Sequence, residues 1–217
     1  MQDLCLVTGM VLFTSPVNDY DRRMVLLTKE RGKITVFAKG ARRQGSRSMA
    51  LTNPFCFGTF KLYEGKNAYN LIEANISHYF EELRTDFEGA YLGMYFLEIA
   101  DYYGRENNDE VELLKLLFQS VRAIIKPNID NRLVRAVFEI KALVVNGEFP
   151  GIRKDARLLD GTRYAIDFIV NTPVERLYTF AVKDEVLDEL AGEADFYRKK
   201  YMDRNFKSLQ MLDIGFC

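Results

Sequence analysis

The hydrophobic period of the chain changes once, near residue 78, and that switch limits what it can fold into. Before it, apolar residues come in short runs over residues 4–14, 23–28, 33–38, 55–63 and 69–74, several of them bounded by Gly, Asn or Pro. Such runs read as strands. Lys29-Glu30-Arg31-Gly32 and Glu64-Gly65-Lys66-Asn67 read as hairpin loops, Gly32 supplying the positive φ that a tight loop needs. No helical period of useful length fits between these strands. Five strands in about eighty residues leave exposed edges unless they close, which predicts a closed or partly closed small barrel.

From residue 77 onward the apolar spacing is helical. Tyr79, Phe80, Leu83, Phe87, Tyr91 and Met94 begin a helix that stops at Gly104. Asn108 reads as the N-cap of a second helix, which Lys126-Pro127 ends. A third runs from Asp130 to Asn146-Gly147. A short loop at 147–163 leads to shorter helices at 164–170 and 173–180, a long one at 184–202 and a final turn at 206–212. The expected layout is residues 1–78 as barrel and 79–217 as helical domain.

The charge count, 30 Lys and Arg against 31 Asp and Glu, hides a strong asymmetry. Residues 21–50 hold nine cations and two acids, a local charge of +7, while the rest of the chain carries −8. Density of this kind attracts polyanions, because phosphate neutralisation supplies most sequence-independent nucleic-acid affinity. The segment from Lys39 to Ser48 carries Lys39, Arg42, Arg43 and Arg47 with two glycines, and its spacing is not that of a phosphate-binding P-loop. Alternation along the preceding strand sends Ile34, Val36 and Ala38 inward and Lys33, Thr35, Phe37 and Lys39 outward. An outward Phe37 among cations is a stacking platform for unpaired bases. The candidate nucleic-acid set is therefore Arg22, Arg23, Lys33, Phe37, Lys39, Arg42, Arg43 and Arg47. A second basic set, Arg132, Arg135, Arg198, Lys199, Lys200, Arg204 and Lys207, extends a nucleic-acid path or complements helix C-termini.

Other chemistries find little support. Cys5, Cys56 and Cys217 are far apart, so no close-spaced pair organises a zinc site, and the odd, sparse count suits a reducing compartment. Cys5 and Cys56 read as buried small hydrophobes, and Cys217 as exposed and unactivated. Met1-Gln2-Asp3 lacks the basic start of a secretory signal, and the uncharged run at 4–18 falls short of the ~20 apolar residues of a membrane span. His78 is the sole histidine and has no nucleophile signature near it. Paired carboxylates such as Glu81-Glu82 and Asp184-Glu185 read as solvated groups on helices.

Several stretches resemble the bacterial DNA repair protein RecO family. They are Thr8-Gly9-Met10-Val11-Leu12, Asn18-Asp19-Tyr20-Asp21, Leu27-Thr28-Lys29-Glu30-Arg31-Gly32-Lys33-Ile34 and Ala38-Lys39-Gly40-Ala41-Arg42. Near the other end, Pro173-Val174-Glu175-Arg176-Leu177 and Lys207-Ser208-Leu209-Gln210-Met211-Leu212 agree as well. The resemblance implies an α+β protein: an N-terminal five-stranded OB-fold barrel followed by an all-helical C-terminal domain. It implies no turnover. It implies binding of single- and double-stranded DNA, strand annealing, and work with RecR to load RecA onto DNA coated by single-stranded DNA-binding protein. Many members insert a four-cysteine zinc module in the helical part. Residues 147–163 hold no cysteine and carry Arg153, Lys154, Arg157 and Arg163 instead, so no metal or cofactor is expected.

The expected function is a non-catalytic, cytoplasmic and nucleoid-associated recombination mediator. The competing reading is an adaptor whose basic barrel docks an acidic protein. A nuclease, a third class, lacks a metal-ligand motif.

Overall fold

Strands β1 (Leu4–Val17), β2 (Asp21–Thr28), β3 (Gly32–Ala38), β4 (Phe57–Glu64) and β5 (Tyr69–His78) close into a barrel in the order β1-β2-β3-β5-β4. They belong to a computed structural model that describes residues 4–66, 68–154 and 156–215. Met1-Gln2-Asp3, Asn67 of the second hairpin loop, and Cys217 lie outside the described residues. Neighbouring strands pair antiparallel except β3 and β5, which meet in parallel at Val36–Tyr69 and Phe37–Asn70. The barrel interior is filled by Val7, Val11, Met24, Leu26, Ile34, Val36, Phe60 and Leu62, each at most 2% exposed. Each such side chain contributes about 1.5–3 kcal/mol relative to exposure.

The strand expectations hold with shifted ends. β1 runs through Pro16 to Val17 rather than stopping there, and β5 extends to His78. Gly32 takes φ +64 at the β2–β3 turn, as its place in the loop predicts. A Cβ there would also lie 2.1 Å from the Arg105 carbonyl, so only glycine admits the close approach of residues 105–107. That segment lies along β3: Lys33 N–H donates to Arg105 O at 2.9 Å and Asn107 N–H to Arg31 O at 3.0 Å. Cys56 is buried, whereas Cys5 is only partly so.

The helices are α1 (Ser48–Leu51), α2 (Phe87–Tyr103), α3 (Val111–Ile124), α4 (Asn131–Val145), α5 (Asp160–Asn171), α6 (Asp184–Tyr201) and α7 (Lys207–Gly215). Helix α1 falls in a stretch read as loop. The first long helix begins at Phe87, ten residues later than the apolar spacing suggests. His78 still belongs to β5, and Phe80 takes φ +52, a left-handed conformation that breaks a helix. Asn108 is not an N-cap; α3 starts at Val111, whose N–H is taken by Asp109 Oδ1 at 3.2 Å. Asp130 does cap α4, accepting from Arg132 N–H at 2.7 Å. Pro173 opens only a short 3₁₀ turn, Val174–Arg176.

Two compact units divide the chain. Residues 1–81 and 100–114 form one, and residues 82–99 and 115–217 form the other. The first therefore includes the C-terminal end of α2, which the period of the sequence places in the helical domain. In the second unit, α4 lies against α5 and α6 and is buried from Leu133 to Leu143, save partly exposed Arg135. Phe96 stacks on Phe138 with centroids 3.9 Å apart, and Tyr95 meets Phe206 edge-on at 5.3 Å. Buried Lys141 donates to Ile169 O, Val170 O and Thr172 O at 2.8–3.0 Å, placing its charge on the unpaired carbonyls that end α5.

Candidate nucleic-acid interface

The residues between β3 and β4 carry the cation cluster, and the barrel holds the cluster's base in place. Asp21, at the start of β2, accepts the Gly40 N–H at 2.8 Å. That hydrogen bond, helped by Asn18 and by the nearby Lys39 and Arg43, holds the Asp21 carboxyl below the usual carboxylate range. Gly40 takes φ +66, turning the chain away from β3. Arg42 N–H donates to Tyr20 O at 2.8 Å, and Arg42 NH1 reaches Asn18 O at 3.3 Å. The Arg43 guanidinium lies 5.4 Å from the Tyr20 ring centroid, within range of a cation–π contact. The β1–β2 turn and the 39–47 loop are thus stitched together, with Lys39, Arg42, Arg43 and Arg47 all exposed.

Two of the expected cations are used internally. Arg22 NH1 donates to Met49 O at 3.1 Å, Thr52 Oγ1 at 3.0 Å and Asn53 Oδ1 at 3.0 Å, tying the segment around α1 to β2. Lys33 Nζ donates to Asp101 O at 2.5 Å and Oδ1 at 3.1 Å, where its charge meets the carbonyl end of α2. Arg23, Lys39 and Arg47 make no side-chain hydrogen bond or ion pair among the described residues. Ile34, Val36 and Ala38 point inward, and Phe37 is partly exposed on the outer face. Register puts Ser15, Arg23, Phe37 and Asn70 in one row across β1, β2, β3 and β5.

Two aromatic residues of this surface were not among the candidates from sequence. Phe13 is 52% exposed and Tyr20 53%. Strict alternation from Val7 and Val11 sends Phe13 inward. A β-bulge between Val11 and Phe13 inserts Leu12 and turns Phe13 outward, opposite Val25. Tyr20 did carry a signal: an aromatic ring inside a polar turn.

The second basic set is largely neutralised where it stands. Arg132 pairs with Asp130 at 3.4 Å and Asp188 at 2.9 Å, and Lys199 pairs with Asp195 at 2.6 Å. Arg135 bonds Glu139 at 2.9 Å, and that buried carboxylate also accepts the Tyr95 hydroxyl at 2.6 Å. Lys200 lies over the Phe196 and Tyr201 rings and Arg204 over Phe206. Arg132, Arg135, Arg198 and Lys199 nonetheless line one cleft of about 370 Å³ between α4 and α6. There Arg198 Nε is buried with no hydrogen-bond partner among the described residues, 3.7 Å from Glu139 Oε1.

Residues 147–163 offer neither Cys nor His. Arg153 forms a bidentate pair with Glu193, lies 4.2 Å over the Phe196 ring, and takes the Tyr197 hydroxyl on its backbone N–H at 3.1 Å. Among the described residues no three His, Cys, Asp or Glu side chains gather as a metal site. A zinc ion does not fit this loop, whose anchors are a cation, its paired carboxylate and two rings. No described helix is long and apolar enough to cross a membrane.

A closed barrel of this strand order, with its cations on the loop after β3, makes the chain an OB-fold protein carrying an additional helical unit. Residues 1–80 match the family model described as Recombination protein O N terminal, and residues 84–158 the model for Recombination protein O C terminal. The chain belongs to the recombination protein O family. It is 24% identical over 237 residues to the DNA repair protein RecO of Acetivibrio thermocellus, covering 94% of each chain. It is 27% identical to that of Clostridium perfringens strain 13, covering 94% of this chain and 95% of the relative. A shorter match, 32% over 140 residues, links it to the RecO of Clostridium acetobutylicum, with 64% of this chain and 56% of the relative covered.

Proposed function

We propose that the chain is a non-catalytic mediator of recombinational DNA repair that binds DNA strands on its barrel and promotes their annealing. The observation that carries this reading is the exposed cation cluster Lys39, Arg42, Arg43 and Arg47, held against the β1–β2 turn and continued by Arg23. Cations in a preset loop neutralise phosphates without first being ordered. Phe37 adds a ring beside Arg23 on which a base stacks. Two strands whose charge is partly neutralised repel one another less, which favours annealing. Residues 1–78 serve as the DNA-binding domain.

Family membership supports the partners: RecR, single-stranded DNA-binding protein and, indirectly, RecA. The cleft between α4 and α6, where Arg132, Arg135, Arg198 and Lys199 converge around Glu139 and Asp195, is the candidate seat of the acidic carboxylate-terminated tail of single-stranded DNA-binding protein, which competes there with those two carboxylates. The work belongs in the bacterial cytoplasm, at the nucleoid. The test is a fluorescence annealing assay with complementary oligonucleotides, bare and coated with single-stranded DNA-binding protein. Acceleration that Arg42→Ala/Arg43→Ala reduces is expected. Absence of acceleration by the unaltered protein, or an unchanged rate in the variant, refutes the reading.

A further inference from the structure

Three aromatic rings sit within the cation surface, and none is buried in the core. Phe13 on β1 and Tyr20 in the β1–β2 turn are 52% and 53% exposed. Phe37 on β3 is partly exposed and makes no ring contact among the described residues. Register brings the first and last of these to the two sides of one cation. Arg23 is directly opposite Phe37, and Phe13, opposite Val25, is its diagonal neighbour. Cross-strand neighbours of this kind lie roughly 5 Å apart and diagonal ones roughly 7–8 Å. Tyr20 is fixed by its carbonyl bond to Arg42 N–H and carries the Arg43 guanidinium at 5.4 Å. Cation and ring therefore alternate over the outer face of β1, β2 and β3 and onto the loop.

Rings and guanidinium groups read different parts of a strand. A guanidinium meets phosphate oxygens, which single strands, duplexes and bare phosphodiester chains all present. A ring needs the flat face of a base, which a duplex keeps covered by its own stacking. We propose, resting on the nucleic-acid reading above, that Phe13, Tyr20 and Phe37 stack unpaired bases and make the barrel select single-stranded over double-stranded nucleic acid. The bulge at Leu12 is then the device that moves Phe13 from the core face to the binding face. The loop cations alone give no preference for unpaired bases.

The full chain is titrated at one salt concentration with three labelled probes of equal length: a mixed-sequence single strand, an abasic single strand and a duplex. The single strand is expected to bind at least roughly 5- to 160-fold tighter than the abasic strand, the range that one stacked base supplies. Phe13→Ala narrows that gap and leaves abasic and duplex affinity unchanged, Tyr20→Ala narrows it further, and Tyr20→Phe keeps most of it. Both altered side chains are exposed, so the melting temperature should stay within a few degrees and confirms folding. Equal affinity of the unaltered protein for single and abasic strands overturns the proposal while leaving phosphate binding intact. So does an equal loss on all three probes. Failure to bind any probe overturns this proposal and the DNA-binding reading together.

Discussion

Replacing Arg22 by Met separates a cation that builds the surface from the cations that use it. Its NH1 group has three acceptors, Met49 O, Thr52 Oγ1 and Asn53 Oδ1, at 3.0–3.1 Å. A hydrogen bond from a charged donor contributes about 1.5–3 kcal/mol. The three share one nitrogen and do not add, and the site is only partly buried, so the loss is about 2 kcal/mol. Met preserves the apolar stem, so little of this comes from packing. For a chain of this size 1 kcal/mol shifts the melting temperature by roughly 2–4 °C, which gives a fall of about 4–8 °C. Circular dichroism melting reads the shift, and oligonucleotide titration below the transition reads binding. The expected result is a lower melting temperature with single-strand affinity within threefold of the unaltered protein. An unchanged melting temperature with a tenfold or greater loss of affinity would falsify the structural role of Arg22 and return it to the DNA contact set.

Glu139→Gln should destabilise the helical unit by about 1.5–3 kcal/mol, because Arg135 and Arg198 lose a buried counter-charge while keeping Asp195; chemical denaturation with a global fit measures it. Burial pushes up the phenols of Tyr95 and Tyr178, in Tyr95 aided by Glu139. Their contribution is complete below the ordinary phenol value of about 10 and is lost as pH rises through the higher folded-state values. Melting temperature should therefore fall as pH rises above about 10, and Tyr178→Phe should flatten the fall; a slope the same in both proteins refutes this. Asp21 behaves oppositely: its contact with Gly40 N–H is intact above the usual carboxylate range and is lost as pH falls through its depressed value. Asp21→Ala should speed limited trypsin cleavage after Arg42 and Arg43 severalfold at neutral pH, and an unaltered digestion rate counts against the stitching of that loop.

Much of this architecture is legible in the residues, and the exceptions have physical causes. Ile34, Val36 and Ala38 alternate cleanly because β3 is half-buried, so its inner and outer faces can be read directly. Asp130 and Gly147 mark α4 because each fills a backbone requirement at a helix end. Asn108 misleads because α3 begins three residues later, where Asp109 serves instead. Phe13 is hidden by the bulge, since one inserted residue inverts everything after it. Arg22 and Lys33 count as charges in the sequence, but only tertiary contacts reveal the acceptors that consume them. The pairing of Arg132 with Asp188 and of Arg135 with Asp195 is equally invisible, because both acids come from a helix fifty or more residues away.

The central claim is that the loop after β3 neutralises phosphates, and the salt dependence of single-strand binding tests it most directly. Each neutralised phosphate contributes about −0.7 to the slope of log K against log salt for single strands. Arg23, Lys39, Arg42, Arg43 and Arg47 together then predict a slope of roughly −3.5, and Arg42→Ala/Arg43→Ala/Arg47→Ala should flatten it by roughly 2. A slope near zero in the unaltered protein, or one that the triple variant leaves unchanged, contradicts the account.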